Sequence, residues 1–333
     1  MREQNSFYKA FYKNSGLPAF WQPIFSEQIM TKKNQQLAGS LCLLLAAFIW
    51  GISFVAQTTG MEYVGPFTFQ GVRFLLGAVV LLPVSLISDR AKKKQPSYTP
   101  MTKQDKYYLI KAGTVCGIIL AIAANIQQLA LQYTTPGKGG FITAMYILCV
   151  PVMGIFVKKR VGAKVWAGVG IAAVGLYFLC MNEALSINRG DFMLMLCALG
   201  FSFHIIFVDK YSPNCDGIKL SIFQFAVAAV ISLAIMFITE KPNIGDILNA
   251  WMPICYSGIL SCAGGYTLQI IGQKKSSNPT VDSLLMSLES VFSVLAQMVI
   301  LRNIPTNREF LGCALMFTAI VLAQLPDRKS KRI

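Results

Sequence analysis

Two ionisable side chains stand inside long apolar runs of the sequence. Arg73 follows Pro66 by about two helical turns, and Glu289 lies near the middle of a later run. Ionisable groups at membrane depth are costly to bury and usually face a cavity or a partner. The Arg73 guanidinium could hold a planar carboxylate or another anion, or it could pair with helix-end carbonyls or an acidic neighbour. Glu289 could contact a substrate amine or take up a coupling proton, or it could make a packing hydrogen bond in its protonated form.

His204 is the single histidine of the chain and also lies in an apolar run. It fits either a hydrogen-bonded packing role or a proton relay. The nine cysteines are scattered and form no CxxC pair, so the sequence predicts neither a disulfide framework nor a zinc site. We expect no metal and no cofactor.

Neutral polar and aromatic side chains recur at the spacing of one helix face. Such faces could line a polar cavity for a small molecule, although Ser, Asn and Gln also form hydrogen bonds between packed membrane helices. Because the pattern recurs in several runs, the sequence favours the cavity. With the two charged groups and His204, the predicted cavity residues are Trp50, Ser53, Gln57, Phe69, Arg73, Asn125, Gln128, His204, Tyr266, Gln269 and Glu289.

Motifs of enzymes are missing from the sequence. It contains no phosphate-binding glycine loop, no HExxH, no GxSxG and no pair of catalytic carboxylates. The sequence therefore indicates a protein that is not an enzyme, and any active transport would be secondary because no ATP-binding domain is present.

The elements that must position these residues are membrane-spanning helices. Hydrophobic residues make up 54% of the chain and charged residues only 14%, too little charge to cover a soluble domain of this length. Ten apolar runs have the length of a spanning helix, and they predict an all-α membrane protein with ten transmembrane helices. The runs lie near 37–57, 66–88, 107–131, 137–157, 164–181, 190–209, 217–238, 248–271, 279–301 and 308–325.

The net charge of +15 lies in short loops between apolar runs and not on one face, which excludes nucleic acid as a partner and leaves the lipid bilayer. Placing the N-terminus inside puts most of the loop Lys and Arg on the cytoplasmic side, including the cluster at 90–106 and Lys158–Arg160. Both termini are therefore expected in the cytoplasm. The basic tail is 326–333.

Residues 1–36 form a polar, aromatic-rich cytoplasmic leader. It fits an interfacial anchor or a loose tail, and translation from Met30 is a third interpretation because TKKNQQLAG is an ordinary basic lead-in to a spanning helix.

The two halves of the chain, 37–181 and 190–325, align at a spacing of about 140–150 residues. Gly39 falls on Gly190 and Ser53 on His204, while Gln128 falls on Gln269. Each half holds five runs, an odd number, so the second half inserts upside down relative to the first. Inverted repeats of this kind are typical of transporters, in which two half-folds rock about a central site.

Several motifs resemble the drug/metabolite transporter superfamily, EamA type. They are Ile49-Trp50-Gly51-Ile52-Ser53-Phe54, the Pro66 and Arg73-Phe74 of the second run, the stretch LQYTTPGKGGFITAMYILCVP ending at Pro151, and the later SLLMSLESVF. The resemblance covers nearly all of 30–325. In the last motif the family usually has Leu-Glu-Pro, whereas here Ser290 follows Glu289, which puts the helix kink expected there in question.

The resemblance implies a bacterial inner-membrane permease that exports amino acids or similar small metabolites. It also implies that runs one to four and six to nine surround a central cavity, with five and ten outside. The expected function is alternating-access export of a small-molecule substrate; the alternative is a non-transporting membrane scaffold or a membrane-embedded enzyme. Ala167, Gly168 and Ala172 would permit close helix approach, in a homodimer or in ordinary packing.

The expected topology can be tested with reporter fusions. A green fluorescent protein fused to the C-terminus should fluoresce, and alkaline phosphatase fused there should be inactive, because both termini are expected in the cytoplasm. A phosphatase fusion after Pro242, on the expected outer side, is the control and should be active. An active C-terminal phosphatase would refute the ten-helix count.

Overall fold

The computed structural model describes residues 32–96, 98–156, 162–180, 189–276, 278–300, 302 and 306–324. Most of the predicted leader, the cationic run Lys158–Arg160 and the basic tail therefore lie outside the described residues.

All regular structure in the described ranges is helical. The helices are α1 Lys32–Gly60, α2 Pro66–Lys93, α3 Lys103–Ala130, α4 Pro136–Ala144, α5 Tyr146–Phe156, α6 Ala163–Cys180, α7 Arg189–Tyr211, α8 Gly217–Thr239, α9 Ile244–Asn249, α10 Trp251–Cys255, α11 Thr267–Lys275, α12 Pro279–Met286, α13 Glu289–Ile300 and α14 Asn307–Gln324, with a 3₁₀ turn at Ser212–Asn214 and a π-helical segment at Tyr256–Tyr266.

Local sequence accounts for where these helices begin. Proline occupies the first turn of α2, α4 and α12, where its missing N–H has no intrahelical partner in any case. Thr135 caps α4 and Asn278 caps α12, each through its side-chain oxygen. Thr102 and Asp105 form a reciprocal capping box at the start of α3.

Eight helical segments of the described chain are long and apolar enough to cross a membrane. We number them as spans by their order among the ten predicted runs. Spans 1, 2 and 3 are α1, α2 and α3; span 4 is α4 with α5; spans 6 and 7 are α7 and α8; span 8 runs from α10 through the π-helical segment to α11; span 9 is α12 with α13. The protein is therefore a multi-pass membrane protein. At the places of the fifth and tenth predicted runs stand α6 and α14, apolar helices of 18 residues each.

The eight spans form a closed ring. Each span packs against two neighbours, and the order around the ring is 1, 8, 2, 7, 3, 6, 4, 9 and back to 1. Helices α6 and α14 pack against each other outside the ring, beside spans 4 and 9. This is the arrangement that the family resemblance implies, with the first four spans of each half around the centre.

Neighbours in this ring always come from different halves of the chain. Adding five to every span number of the first half, and subtracting five from those of the second, turns every packed pair into a packed pair. The pair 1 with 8 becomes 6 with 3, the pair 2 with 8 becomes 7 with 3, and the pairs 2 with 7 and 4 with 9 map onto themselves. The α6–α14 pair maps onto itself. The helices of the two halves therefore alternate around the ring, and the halves do not form two separate bundles.

Spans 2 and 7 are tied together at both ends. At one end, Glu240 follows α8 and caps α2: its carboxylate accepts hydrogen bonds from Phe67 N and Thr68 N, both at 2.8 Å, and from Thr68 Oγ1 at 2.6 Å. Gly65 is required for this contact, because a Cβ there would lie 2.4 Å from the Glu240 carboxyl carbon.

At the other end of the pair, Lys92 pairs with Asp216, and Lys219 pairs with Asp89 at 2.9 Å. Burial alone would raise the pKa of Asp216, but the ammonium groups of Lys92 and Lys219 and the N–H of Lys219 outweigh it and hold that pKa below its ordinary value. The ion pair therefore adds stability at neutral pH, and this contribution is lost only as the pH falls into the acid range of aspartate.

Two of the three small residues that the sequence singled out in α6 pack within the chain, whereas the third, Ala167, is exposed. Gly168 and Ala172 are buried, and a Cβ at Gly175 would lie 3.0 Å from the backbone oxygen of Gly312 in α14. Close helix approach therefore occurs here within one chain.

Removing the Glu240 cap should destabilise the ring. Glu240→Ala leaves two N–H groups of α2 without their acceptor, which costs about 0.5–2 kcal/mol for a helix cap, so the unfolding temperature in mild detergent should fall. Glu62→Ala, at an exposed position, is the control. Equal unfolding temperatures for the two variants would show that the cap contributes nothing.

Candidate functional site: a cavity inside the ring

A cavity that is partly open to solvent lies inside the ring. Spans 1, 2, 3, 4, 6, 8 and 9 contribute to its wall. The lining residues are Trp50, Ser53, Phe54, Gln57, Arg73, Gln127, Thr143, Tyr146, Phe201, Ile205, Ser261, Tyr266, Gln269, Met286 and Glu289.

Spans 4 and 9 are each broken in the middle, beside this cavity. In span 4, α4 ends at Ala144 and α5 begins at Tyr146, with Met145 between them. The chain makes tight turns here, because Met145 N bonds to Ile142 O at 3.2 Å and Leu148 N bonds to Met145 O at 2.9 Å. Backbone of this kind is tolerated at membrane depth where it is buried in protein or lines a cavity.

The break in span 9 falls at Ser287–Leu288, between α12 and α13. Serine hydroxyls satisfy carbonyls around it: Ser287 Oγ donates to Leu284 O at 2.8 Å, and Ser290 Oγ donates to Ser287 O at 2.7 Å. The interruption therefore exists without the proline that the family usually has at position 290.

The two breaks occupy matching places. Pro279 follows Pro136 at the same separation along the chain as Glu289 follows Tyr146. Tyr146 and Glu289 are thus equivalent: each is the first residue of the second helix of a broken span, and both line the cavity. Interrupted helices at corresponding positions of two repeats mark the binding sites of many transporters.

Arg73 is buried at the cavity wall, with 2% of its surface exposed. Its guanidinium lies 5.0 Å from the ring centre of Phe74. Neither Nε nor Nη1 has a hydrogen-bond partner among the described residues, and no carboxylate in those ranges forms an ion pair with Arg73. A buried charge without a partner is costly, so this group is suited to receive an anion from the cavity.

Glu289 and Tyr146 are buried on the cavity wall formed by spans 9 and 4. Their side chains are 4% and 3% exposed, and both line the cavity. Glu289 Oε1 and the Tyr146 hydroxyl have no hydrogen-bond partner in the described part of the chain. Both groups therefore have hydrogen-bonding capacity left for a ligand.

Aromatic rings form another part of the wall. Trp50 and Tyr266 pack with ring centres 4.9 Å apart, and Trp50 Nε1 donates to Ser261 O at 3.3 Å. Ser261 lies in the π-helical segment, whose wider turn releases carbonyls from the usual ladder. A Cβ at Gly265 would lie 2.6 Å from Trp50 Nε1, so glycine is needed there for the indole to occupy this place.

Amide groups complete the polar lining. Gln57 Nε2 bonds to Ser53 O at 3.2 Å, and Gln127 Nε2 donates to Thr143 Oγ1 at 3.2 Å. The amide oxygens of Gln57 and Gln269 have no partner among the described residues, which leaves acceptors facing the cavity.

Seven of the predicted cavity residues line the cavity: Trp50, Ser53, Gln57, Arg73, Tyr266, Gln269 and Glu289. The other four, Phe69, Asn125, Gln128 and His204, lie beside it in packed positions. Phe69 belongs to an apolar cluster with Val64, Ala250 and Ile254.

The three polar members of that second group bond to neighbouring helices. Asn125 Nδ2 donates to Ser232 Oγ at 2.8 Å. Gln128 donates to Gln57 O at 3.2 Å and accepts from Gln70 Nε2 at 3.3 Å. His204 Nε2 lies 3.1 Å from Gln224 Oε1. These three side chains therefore form hydrogen bonds between packed helices, which is the alternative interpretation of such polar residues.

Sequence reasoning missed several lining residues. Gln127 is the neighbour of Gln128 on the same helix, and Tyr146 and Thr143 stand in the predicted fourth run without any periodic pattern. A signal for Tyr146 existed in its separation from Pro136, which equals that of Glu289 from Pro279. Among the described residues, no group of three His, Cys, Asp or Glu side chains is placed to hold a metal.

Comparison with known proteins agrees with a transporter architecture. A family model described as the EamA-like transporter family matches residues 37–181 and 188–325. A protein of Archaeoglobus fulgidus, named an uncharacterized transporter, is 28% identical over 293 residues, which cover 87% of each chain. A Synechocystis protein with a similar name, sll0355, is 22% identical over 326 residues, covering 92% of this chain and 95% of its own.

The fold also matches a solved structure. A crystal structure of another protein aligns with a TM-score of 0.68 at 17% sequence identity, covering 86% of this chain and 96% of that chain. At this identity the match shows a shared fold.

Proposed function

Because the chain belongs to the EamA-like transporter family, we propose that it is a secondary transporter of small polar metabolites that exports amino acids from a bacterial cell through the plasma membrane. The substrate crosses without covalent change, and both termini face the cytoplasm. The observation that carries this proposal is the buried guanidinium of Arg73, which faces the cavity without a carboxylate partner among the described residues.

A carboxylate is the ligand group that fits Arg73 best. The guanidinium presents parallel N–H groups that match the two oxygens of a carboxylate, and two of its nitrogens are unpartnered. The amide oxygens of Gln57 and Gln269 and the rings of Trp50, Phe54 and Phe201 supply polar and apolar contacts for the remainder of a small metabolite.

The proposal includes ten spans arranged as two inverted repeats. It is supported by the ring order, which is unchanged when span numbers shift by five, and by the matching breaks in spans 4 and 9. Counting α6 and α14 as spans gives five in each half, and an odd number reverses the direction of the second half in the membrane.

Alternating access in this fold would use the segments around the helix breaks. Because ring neighbours come from different halves, separating the halves as two rigid bodies would disrupt every contact in the ring. The short helices α4 and α12 each join the rest of their span through a break, so each can tilt while the tied pair of spans 2 and 7 stays in place.

The function is tested by counterflow in proteoliposomes. Liposomes that contain the purified protein are loaded with one amino acid, and uptake of the same amino acid in radiolabelled form is measured outside to inside. The assay is repeated for each of the twenty protein amino acids, and at least one of them should accumulate. Protein-free liposomes are the control. Folded protein that exchanges none of the twenty would overturn the amino acid proposal and favour a scaffold.

Arg73→Gln should weaken binding of the amino acid that gives the strongest counterflow. Losing a charged hydrogen bond costs roughly 1.5–3 kcal/mol, or about 10–100-fold in affinity, measured by titration calorimetry on the purified protein. Arg73→Lys should restore only part of this loss, because an ammonium lacks the planar fork.

Gln128→Leu is the matched control for this experiment. Gln128 is buried, directly follows the lining residue Gln127 and bonds to Gln57 O and Gln70, so its loss should lower the unfolding temperature and change affinity less than Arg73→Gln does. Equal losses of affinity in the two variants would show that Arg73 acts through the fold and not on the substrate.

A further inference from the structure

We propose that Glu289 and Tyr146, which stand at the two helix breaks, form the subsite that binds the substrate's primary ammonium group. This inference rests on the proposed function and specifies it: the substrate would be a zwitterion held by Arg73 at its carboxylate and by the two breaks at its ammonium.

The two residues are brought together by the fold. Spans 4 and 9 are neighbours in the ring, and Ser293 Oγ of span 9 donates to Pro136 O of span 4 at 3.2 Å. Because Tyr146 and Glu289 begin equivalent helices, the contact between these spans places both side chains at the same cavity wall.

The chemistry of this wall suits a cation that donates hydrogen bonds. Glu289 Oε1 and the Tyr146 hydroxyl are buried and lack hydrogen-bond partners among the described residues. An ammonium group offers three N–H donors, and a carboxylate and a phenol oxygen both accept them.

The position of Arg73 explains why the acidic group is left for a ligand. Arg73 and Glu289 lie on spans 2 and 9, which are not neighbours in the ring, and they form no ion pair. Both groups line one cavity, whose wall also includes Tyr266. A zwitterion bound in this cavity would therefore offer a carboxylate to the guanidinium and an ammonium group to the Glu289 carboxylate.

The test compares ligands that differ by one charged group. The probes are the amino acid that gives the strongest counterflow, the α-hydroxy acid with the same side chain, and the amine formed by loss of its carboxylate. Their affinities are measured by calorimetry for the wild type, Glu289→Gln, Tyr146→Phe and Arg73→Gln, with sodium present and with sodium replaced by choline.

Glu289→Gln should bind the amino acid about 10–100-fold more weakly and leave the affinity for the hydroxy acid unchanged, so that its preference for the amino group disappears. Tyr146→Phe should cause a smaller loss of the same kind, about 2–10-fold, because it removes a neutral hydrogen bond. Arg73→Gln should instead remove the preference for the amino acid over the amine.

The matched control is Glu240→Gln, the same acid-to-amide change outside the cavity lining, which should leave all three affinities unchanged. Unfolding temperatures of each variant report folding, and Tyr146→Phe provides a second readout if Glu289→Gln is unstable.

Three results would overturn the inference. Unchanged amino acid affinity in Glu289→Gln is one. Equal loss for the amino acid and the hydroxy acid is another, since it would assign Glu289 a structural role. The third concerns sodium. If the wild type binds the amino acid more tightly with sodium, and Glu289→Gln loses this dependence but still prefers the amino acid to the hydroxy acid, the site at Glu289 would belong to a coupling ion. Amino acid counterflow by the wild type would leave the proposed function standing in each case, whereas its absence would remove both proposals.

Discussion

A polypeptide backbone inside the hydrocarbon layer must satisfy its N–H and C=O groups within the protein or in a water-filled cavity. Spans 4 and 9 change locally from helical hydrogen bonds to tighter turn bonds part-way along their length, and this constraint shapes what surrounds them. Tight turn bonds at Met145 and serine hydroxyls at Ser287 and Ser290 satisfy part of the released backbone. The ring order places the two interrupted spans side by side, so both breaks open onto one cavity instead of onto lipid.

Charged groups in the described chain are distributed in two ways around this cavity. Near the ends of the spans they form pairs that fasten one half of the chain to the other: Lys92 with Asp216, Lys219 with Asp89, and Lys138 with Asp191 at 2.7 Å. In the centre, Arg73 and Glu289 face the cavity without pairing. The ion pairs near the span ends stabilise the packing of the two halves. The side chains of Arg73 and Glu289 are not used in this way and could interact with a ligand.

Helical periodicity in the sequence was sufficient to place Trp50, Ser53 and Gln57 on the cavity face, and the cost of burying charge pointed to Arg73 and Glu289. Periodicity was not sufficient for the third span, where Gln127 and not Gln128 faces the cavity, because the rotation of a helix is set by neighbours that come from the distant half of the chain.

The alignment of the two halves of the sequence placed Gln128 on Gln269. In the structure Gln273 makes the contact that matches Gln128, since its amide donates to Ile205 O at 3.0 Å as Gln128 does to Gln57 O. Span 8 also contains the π-helical segment, which no sequence pattern predicted. The break at Ser287 was similarly hidden, because serines and not proline accommodate it.

The most direct measurement is a cryo-electron microscopy structure of the protein in a lipid nanodisc with the amino acid that gives the strongest counterflow. We expect density for the ligand inside the ring, with its carboxylate at hydrogen-bond distance from the Arg73 guanidinium and its ammonium directed to the helix breaks at Tyr146 and Glu289. Ligand density outside the ring, or an Arg73 side chain paired with protein carbonyls and turned away from the ligand, would contradict it.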